Sequence, residues 1–187
     1  TMRYVLICIS TLLIMNLTGC VPPCEVPDEG ADTFLAMNVT KFGGPEAIPV
    51  FGHTVTTEAN LVALPEVTQP ADVLWLHLFY HDLHTALIQA RGATAADFNR
   101  AVYERLKPGG SYVIVDHAAA AGTGTGDTQS LHRIDPASVR EEVEAAGFVL
   151  DAQSPMLANK DDPHAVKVFD PSIKGRTDRF AYRFVKR

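Results

Sequence analysis

The stretch from Ala71 to His117, ADVLWLHLFYHDLH…LKPGGSYVIVDH, constrains this chain more than any other, because it fits one local order of elements. Asp72 to Leu78 is an apolar run bounded by Pro70 and a polar cluster, which suits a strand buried on both faces. Thr94 and Asp97 are spaced as a capping box, and Phe98, Ala101, Val102 and Leu106 follow at helical spacing. Lys107-Pro108-Gly109-Gly110 stops that helix, since Pro cannot continue it and Gly accepts left-handed angles. Ser111 to Val115 is a second β-rich run, and it closes on Asp116-His117. The first run closes on Tyr80-His81-Asp82-Leu83-His84. Ligands of open α/β sheets collect beyond the carboxyl ends of the strands, where both polar clusters then fall.

Further along, Asp135-Pro136 is a helix start, with a capping side chain before Pro at the first helical position. Val139, Val143 and Ala146 form a narrow apolar stripe, Gly147 ends the helix, and Phe148 to Ala152 reads as a strand. Phe180, Tyr182 and Phe184 alternate with Ala181, Arg183 and Val185, as in a last edge strand. Before Pro70 the signals are weaker: a short helix over Ala31 to Val39, a strand over Pro49 to Thr57 interrupted by Gly52, and a loop from Pro65. The total is five strands and three or four helices, with no internal repeats.

The blocks YHDLH, LKPGGSYVIVDHAAAAGTG, LHRIDPASVREEVEAAGF and VFDPSIKGRTDRF, in this order, resemble the later half of class I S-adenosylmethionine-dependent methyltransferases. More narrowly they resemble one family of exported bacterial predicted methyltransferases, over Ala71 to Arg187. The resemblance implies a three-layer, Rossmann-like α/β fold with a mostly parallel sheet of seven strands and an antiparallel last strand. It also implies S-adenosylmethionine as cofactor and a small-molecule methyl acceptor. The glycine-rich cofactor turn of such enzymes has no counterpart here. Gly43-Gly44-Pro45 follows a helix-like stretch, and Gly122-Thr123-Gly124-Thr125-Gly126 lies after the second late strand without a following helix. The chain therefore reads as a methyltransferase fold shortened at its N-terminal side. A first late strand without its neighbour invites pairing with a second copy, so a homodimer is expected unless the N-terminal segment covers that edge.

Residues 1–20 read as an export signal. Arg3 is followed by the apolar run Tyr4 to Met15, too short for the ~20 residues that cross a bilayer, and then by Leu17-Thr18-Gly19-Cys20. LTGC resembles a bacterial lipobox, which implies lipidation of Cys20 and a periplasmic or outer-membrane-anchored lipoprotein. Residues 21–30 are a proline-rich acidic linker, and 31–187 form the methyltransferase-like domain. Of the three cysteines, Cys8 leaves with the signal and Cys20 carries lipid, so Cys24 has no disulfide partner. The net charge of −6 argues against a nucleic-acid partner.

Three functions compete for the same polar residues. In the methyltransferase reading His81 or His117 is the general base, while Asp82 or Asp116 orients the imidazole. Tyr80, His84, His132 and Arg133 contact the acceptor, and Asp116 also stands as the one cofactor-side candidate. Aligning donor and acceptor supplies most of the catalysis, because the sulfonium is already activated. In the second reading, a metal-dependent hydrolase, His81-x-x-His84 combines with Asp116, His117 or His132 as ligands, although the methyltransferase reading requires no metal. In the third, the chain is a non-catalytic envelope binding module, since an exported protein meets no obvious supply of S-adenosylmethionine. Lys174, Arg176 and Arg179 are anion-binding candidates in a solvated loop.

Overall fold

The computed structural model describes residues 70–90 and 92–187, together with the backbone of four short strands before them. Those four are β1 (Tyr4–Cys8), β2 (Leu35–Met37), β3 (Pro49–Val50) and β4 (His53–Thr54). Cys20, Cys24, the 21–30 linker and Gly43-Gly44-Pro45 lie outside the described residues. After them come β5 (Ala71–His77), a 3-10 turn (Tyr80–His84), α1 (Ala86–Gln89), α2 (Ala95–Arg105) and β6 (Leu106–His117). The chain continues through α3 (Thr128–Leu131), α4 (Pro136–Ala145), β7 (Phe148–Ser154) and β8 (Arg179–Lys186).

The strands form a mixed sheet in the order β2-β1-β5-β6-β8-β7, and β3 and β4 pair separately. β5 runs parallel to β1 and β6, whereas β8 runs antiparallel to both β6 and β7. The antiparallel last strand expected from the resemblance is present, but it is not an edge. It inserts between β6 and β7, which lets Tyr112, Phe148 and Phe184 pack as one aromatic cluster. Leu35–Met37, expected within a helix, is a strand paired with β1, and the expected strand over 49–57 is two short strands. Among the described residues β1 occupies the β5 edge that a second copy was expected to cover.

The core is built where the two late helices meet the sheet. Leu74 and Leu76 of β5, Tyr112 and Ile114 of β6 and Phe184 of β8 are buried with Phe98 and Val102 of α2 and Val139 and Val143 of α4. These are the residues whose 2.0 and 3.6 periods mark the inward faces. Among the described residues β5 is not covered on the face carrying Trp75, as its apolar run suggested it would be: Trp75, pointing opposite to Leu74 and Leu76, is 42% exposed. α2 starts with the expected cap: Thr94 Oγ1 accepts from the Asp97 amide at 3.1 Å and donates to its carboxylate at 2.7 Å. α4 starts likewise, with the Asp135 carboxylate accepting from the Ala137 amide at 2.9 Å. β6 begins earlier than expected, at Leu106, and absorbs the Pro-Gly-Gly segment as an irregularity in its pairing with β5. Gly110 is required there, since a Cβ would lie 2.9 Å from the Lys107 carbonyl and 3.2 Å from that of Asp72.

Candidate functional site

β5 and β6 are parallel, so their carboxyl ends open on the same side of the sheet. The chain leaving β5 turns sharply at Leu78, whose φ is 53°, and its amide donates to the Val115 carbonyl at 2.8 Å. That turn folds Tyr80–His84 back over the end of β6, where Asp116 waits. Asp116 is fully buried and accepts three hydrogen bonds. Its Oδ2 takes the His81 amide at 2.8 Å, and its Oδ1 takes His81 Nδ1 at 2.8 Å and the His117 amide at 2.7 Å. Burial alone would raise this carboxyl, but the His81 imidazole and the converging donors outweigh it and hold Asp116 below the usual carboxylate range. An ionised Asp116 therefore makes Nδ1 the protonated nitrogen of His81 and orients the ring.

The other ring nitrogen of His81 faces Asp82 and His132. His81 Nε2 lies 3.6 Å from Asp82 Oδ1, and His132 Nδ1 lies 3.8 Å from the same oxygen. The His81 and His132 rings meet edge to face with centroids 5.5 Å apart. His132 reaches this place because α3 ends on it in a left-handed conformation, φ 57° and ψ 45°, which swings the chain back toward the turn. Phe169 closes the outer side, with its ring centroid 5.0 Å from that of His132.

His117 stands beside this group, its ring centroid 6.0 Å from that of His81, but its Nδ1 is hydrogen-bonded to Thr177 Oγ1 at 2.8 Å. Burial is the main reason its pKa falls to about 4, with the nearby Asp116 opposing that fall and the His81, Arg179 and Arg133 charges adding to it. A base that weak is a poor proton acceptor at neutral pH. Of the two imidazoles, His81 is the better placed.

Four expected site residues are turned to other tasks. Tyr80 is fully buried: its hydroxyl donates to Glu142 Oε2 at 2.9 Å and accepts from Asn99 Nδ2 at 2.7 Å, so it cannot pack on an acceptor. His84 turns to the same Glu142 oxygen at 3.1 Å, away from His81. Asp116 has no exposed surface with which to meet a cofactor. Arg133 is also fully buried, and its guanidinium binds Asp162 twice, at 2.9 and 3.0 Å, as well as the carbonyls of Ala118 and Val166. It fastens the 155–178 segment to the sheet rather than reaching a ligand. Asp162 completes that tie by accepting from the amides of His164 and Asp178.

The glycine loop after β6 is likewise an internal structure. A one-turn helix, α3, does follow it, but the Gly122 amide donates to Asp135 Oδ2 at 2.6 Å and the Gly124 carbonyl accepts from the Asp135 amide. Asp135 so closes the loop and caps α4 with one side chain. Glu142 was not singled out in the sequence, although its place three residues after Val139 puts it at the border of the buried stripe of α4. An open cavity of about 530 Å³, lined by Leu83, His84, Thr94, Ala95 and Glu142 among others, lies beside that residue.

No protein-family model matches the chain, and no curated protein matches it. Solved structures similar to it include the N-methyltransferase NodS from Bradyrhizobium japonicum WM9, at 10% identity and a TM-score of 0.45 over 70% of this chain and 58% of that one. The glycopeptide N-methyltransferase MtfA complexed with S-adenosyl-L-methionine is similar at 13% identity, with a TM-score of 0.43 over 69% and 59%. The CcbJ methyltransferase from Streptomyces caelestis is similar at 15% identity, with a TM-score of 0.44 over 69% and 62%. The chain thus spans less than two thirds of the length of these proteins.

Proposed function

We propose that this chain is a methyltransferase-type domain that binds S-adenosylmethionine and methylates a small-molecule acceptor beyond the carboxyl ends of β5 and β6. The observation that carries this reading is the His81–Asp116 pair, two residues 35 positions apart joined at 2.8 Å where parallel strands end. An imidazole with Nδ1 held by a buried carboxylate presents Nε2 as a general base, suited to taking the proton of a hydroxyl or amine as the methyl group arrives. Asp82 lies beside Nε2 and stabilises the imidazolium so formed. The reading extends the sequence resemblance of residues 71–187. It also includes export, with a lipid on Cys20 anchoring the domain at the envelope.

Calorimetric titration of the full chain with S-adenosylmethionine and S-adenosylhomocysteine tests the cofactor. Micromolar binding, worth about 8 kcal/mol, supports the reading. The absence of heat together with an unchanged melting temperature rejects it and leaves a non-catalytic binding module.

A further inference from the structure

We infer that His81, Asp82 and His132 form a binding site for one divalent transition-metal ion of the zinc class. Their ligand atoms all lie within 4.8 Å of one another, two on the 3-10 turn after β5 and one at the end of α3, so residues 50 apart converge on one point. Two imidazole nitrogens and one carboxylate oxygen are the donor set that zinc and its neighbours prefer. Ligands about 2.0–2.1 Å from a tetrahedral ion are about 3.3 Å apart, so the 3.6 and 3.8 Å separations from Asp82 Oδ1 need a slight contraction, and the two imidazole nitrogens, within 4.8 Å of each other, close by side-chain rotation.

A second observation distinguishes this cluster from an incidental group of polar residues. Asp116 binds His81 Nδ1 at 2.8 Å, and it is itself fixed by the His81 and His117 amides. A carboxylate on the far nitrogen of a histidine fixes the tautomer with its lone pair on Nε2 and raises the basicity of that nitrogen, as metal-binding histidines require. His81 and Asp82 are 4% and 3% exposed, so the ion would be shielded on one side, while the partly exposed His132 leaves it accessible from the other. His84, which sequence spacing paired with His81, is taken by Glu142 and lies outside the set.

Three protein ligands leave a further position for water or for an oxygen of the acceptor. This last role rests on the methyltransferase reading; the binding of the ion does not. Coordination at Nε2 and the general-base role of His81 exclude each other, so the base role belongs to the metal-free chain. In the metal-bound chain the ion would lower the pKa of the bound acceptor, whose proton would pass to water.

The full chain, freed of metal by chelation, is titrated with Zn²⁺ and with Co²⁺ in the absence of S-adenosylmethionine. The expected result is one ion per chain, a rise in melting temperature with Zn²⁺, and the visible absorption of four- or five-coordinate cobalt. His132→Asn and Asp82→Asn should each weaken binding by roughly tenfold or more, and Asp116→Asn by roughly 10–100-fold although every ligand atom remains. His164→Asn, at a histidine bound to Asp178 outside the cluster, should bind as the unaltered chain does. Circular dichroism of the metal-free variants separates lost affinity from lost folding, and the partly exposed His132 is the position least exposed to that difficulty. Failure to bind either ion, or unchanged affinity in folded His132→Asn and Asp82→Asn, overturns the assignment. Titration with S-adenosylmethionine in chelator reads the methyltransferase proposal separately, so the two fail independently.

Discussion

Asp116 holds His81 at two points, the ring Nδ1 on one carboxylate oxygen and the main-chain amide on the other, each at 2.8 Å. The double attachment fixes both where the turn after β5 lies and which way its imidazole faces. Position and orientation at this site are therefore set by one buried side chain.

Replacing that carboxylate should be felt in stability as well as in the site. In Asp116→Asn one arm presents an NH₂ group to a donor, so a buried hydrogen bond to a charged group is lost. The expected cost is about 2–3 kcal/mol, read from the midpoint of urea unfolding. An unchanged midpoint would show that the attachment is incidental.

The Arg133–Asp162 pair behaves differently from a surface ion pair because neither side chain touches solvent. Arg133→Ala leaves Asp162 buried with only its amide donors and should cost about 3–5 kcal/mol. The double variant Arg133→Met, Asp162→Leu should lose clearly less than the sum of the two single losses. A double-mutant cycle in denaturant measures this, and additive losses would contradict the coupling.

The same pair sets an acid limit. Burial tends to raise the Asp162 carboxyl, but the Asp178 and His164 amides and the Arg133 guanidinium outweigh it and hold it below its ordinary value of 3.8. A depressed carboxylate contributes stability that is fully present above the unfolded value and lost as pH falls through the folded one. Acid unfolding below pH 4 should therefore be shallower in Asp162→Asn, which lacks this titration. Circular dichroism between pH 5 and pH 2 provides the check.

His117 should stay neutral well below the pH at which a solvated histidine charges. With a folded pKa of about 4 against an ordinary 6.5, its contribution is complete above pH 6.5, declines as pH falls and is gone below about pH 4. Proton NMR of its ring in chelated protein reads this directly. A midpoint near 6.5 would mean the ring is solvated and the contact with Thr177 is not maintained.

A chain processed before Cys20 loses β1, since Tyr4–Cys8 precedes that site. The edge of β5 then offers unpaired main-chain groups over Val73 to His77, the residues that β1 pairs. The processed form should dimerise, and the full chain should not. Light scattering of both forms decides it, and monomers in both cases would show that another segment covers the edge.

Much of the late half is legible in the sequence. The strand over 72–78, the Thr94 and Asp135 caps and the inward face carrying Phe98, Val102, Val139 and Val143 follow from periods and capping chemistry, which act within a few residues. The clustering of polar residues at the ends of β5 and β6 was legible for the same reason. Their partners were not. Tyr80, His84 and Arg133 looked like ligand-facing groups because nothing local absorbs them, yet Glu142 and Asp162 do so from 62, 58 and 29 positions away. The last strand showed the same limit, because its alternation is local whereas its insertion between β6 and β7 is a matter of pairing.

The sequence by itself determined the order of the main strands and helices in the late half, the starts of α2 and α4, and that histidines and aspartates gather where β5 and β6 end. It did not show that β6 begins at Leu106 or that α3 forms. Only the tertiary structure decided which of the polar residues meet. It turned Asp116 inward as the support of His81, drew His132 beside Asp82 through a left-handed turn, and sent His84 and Arg133 to other carboxylates. The reason is physical: capping and periodicity are properties of neighbouring residues. The pairing of buried charges depends on which distant segments the sheet order brings within a few ångströms.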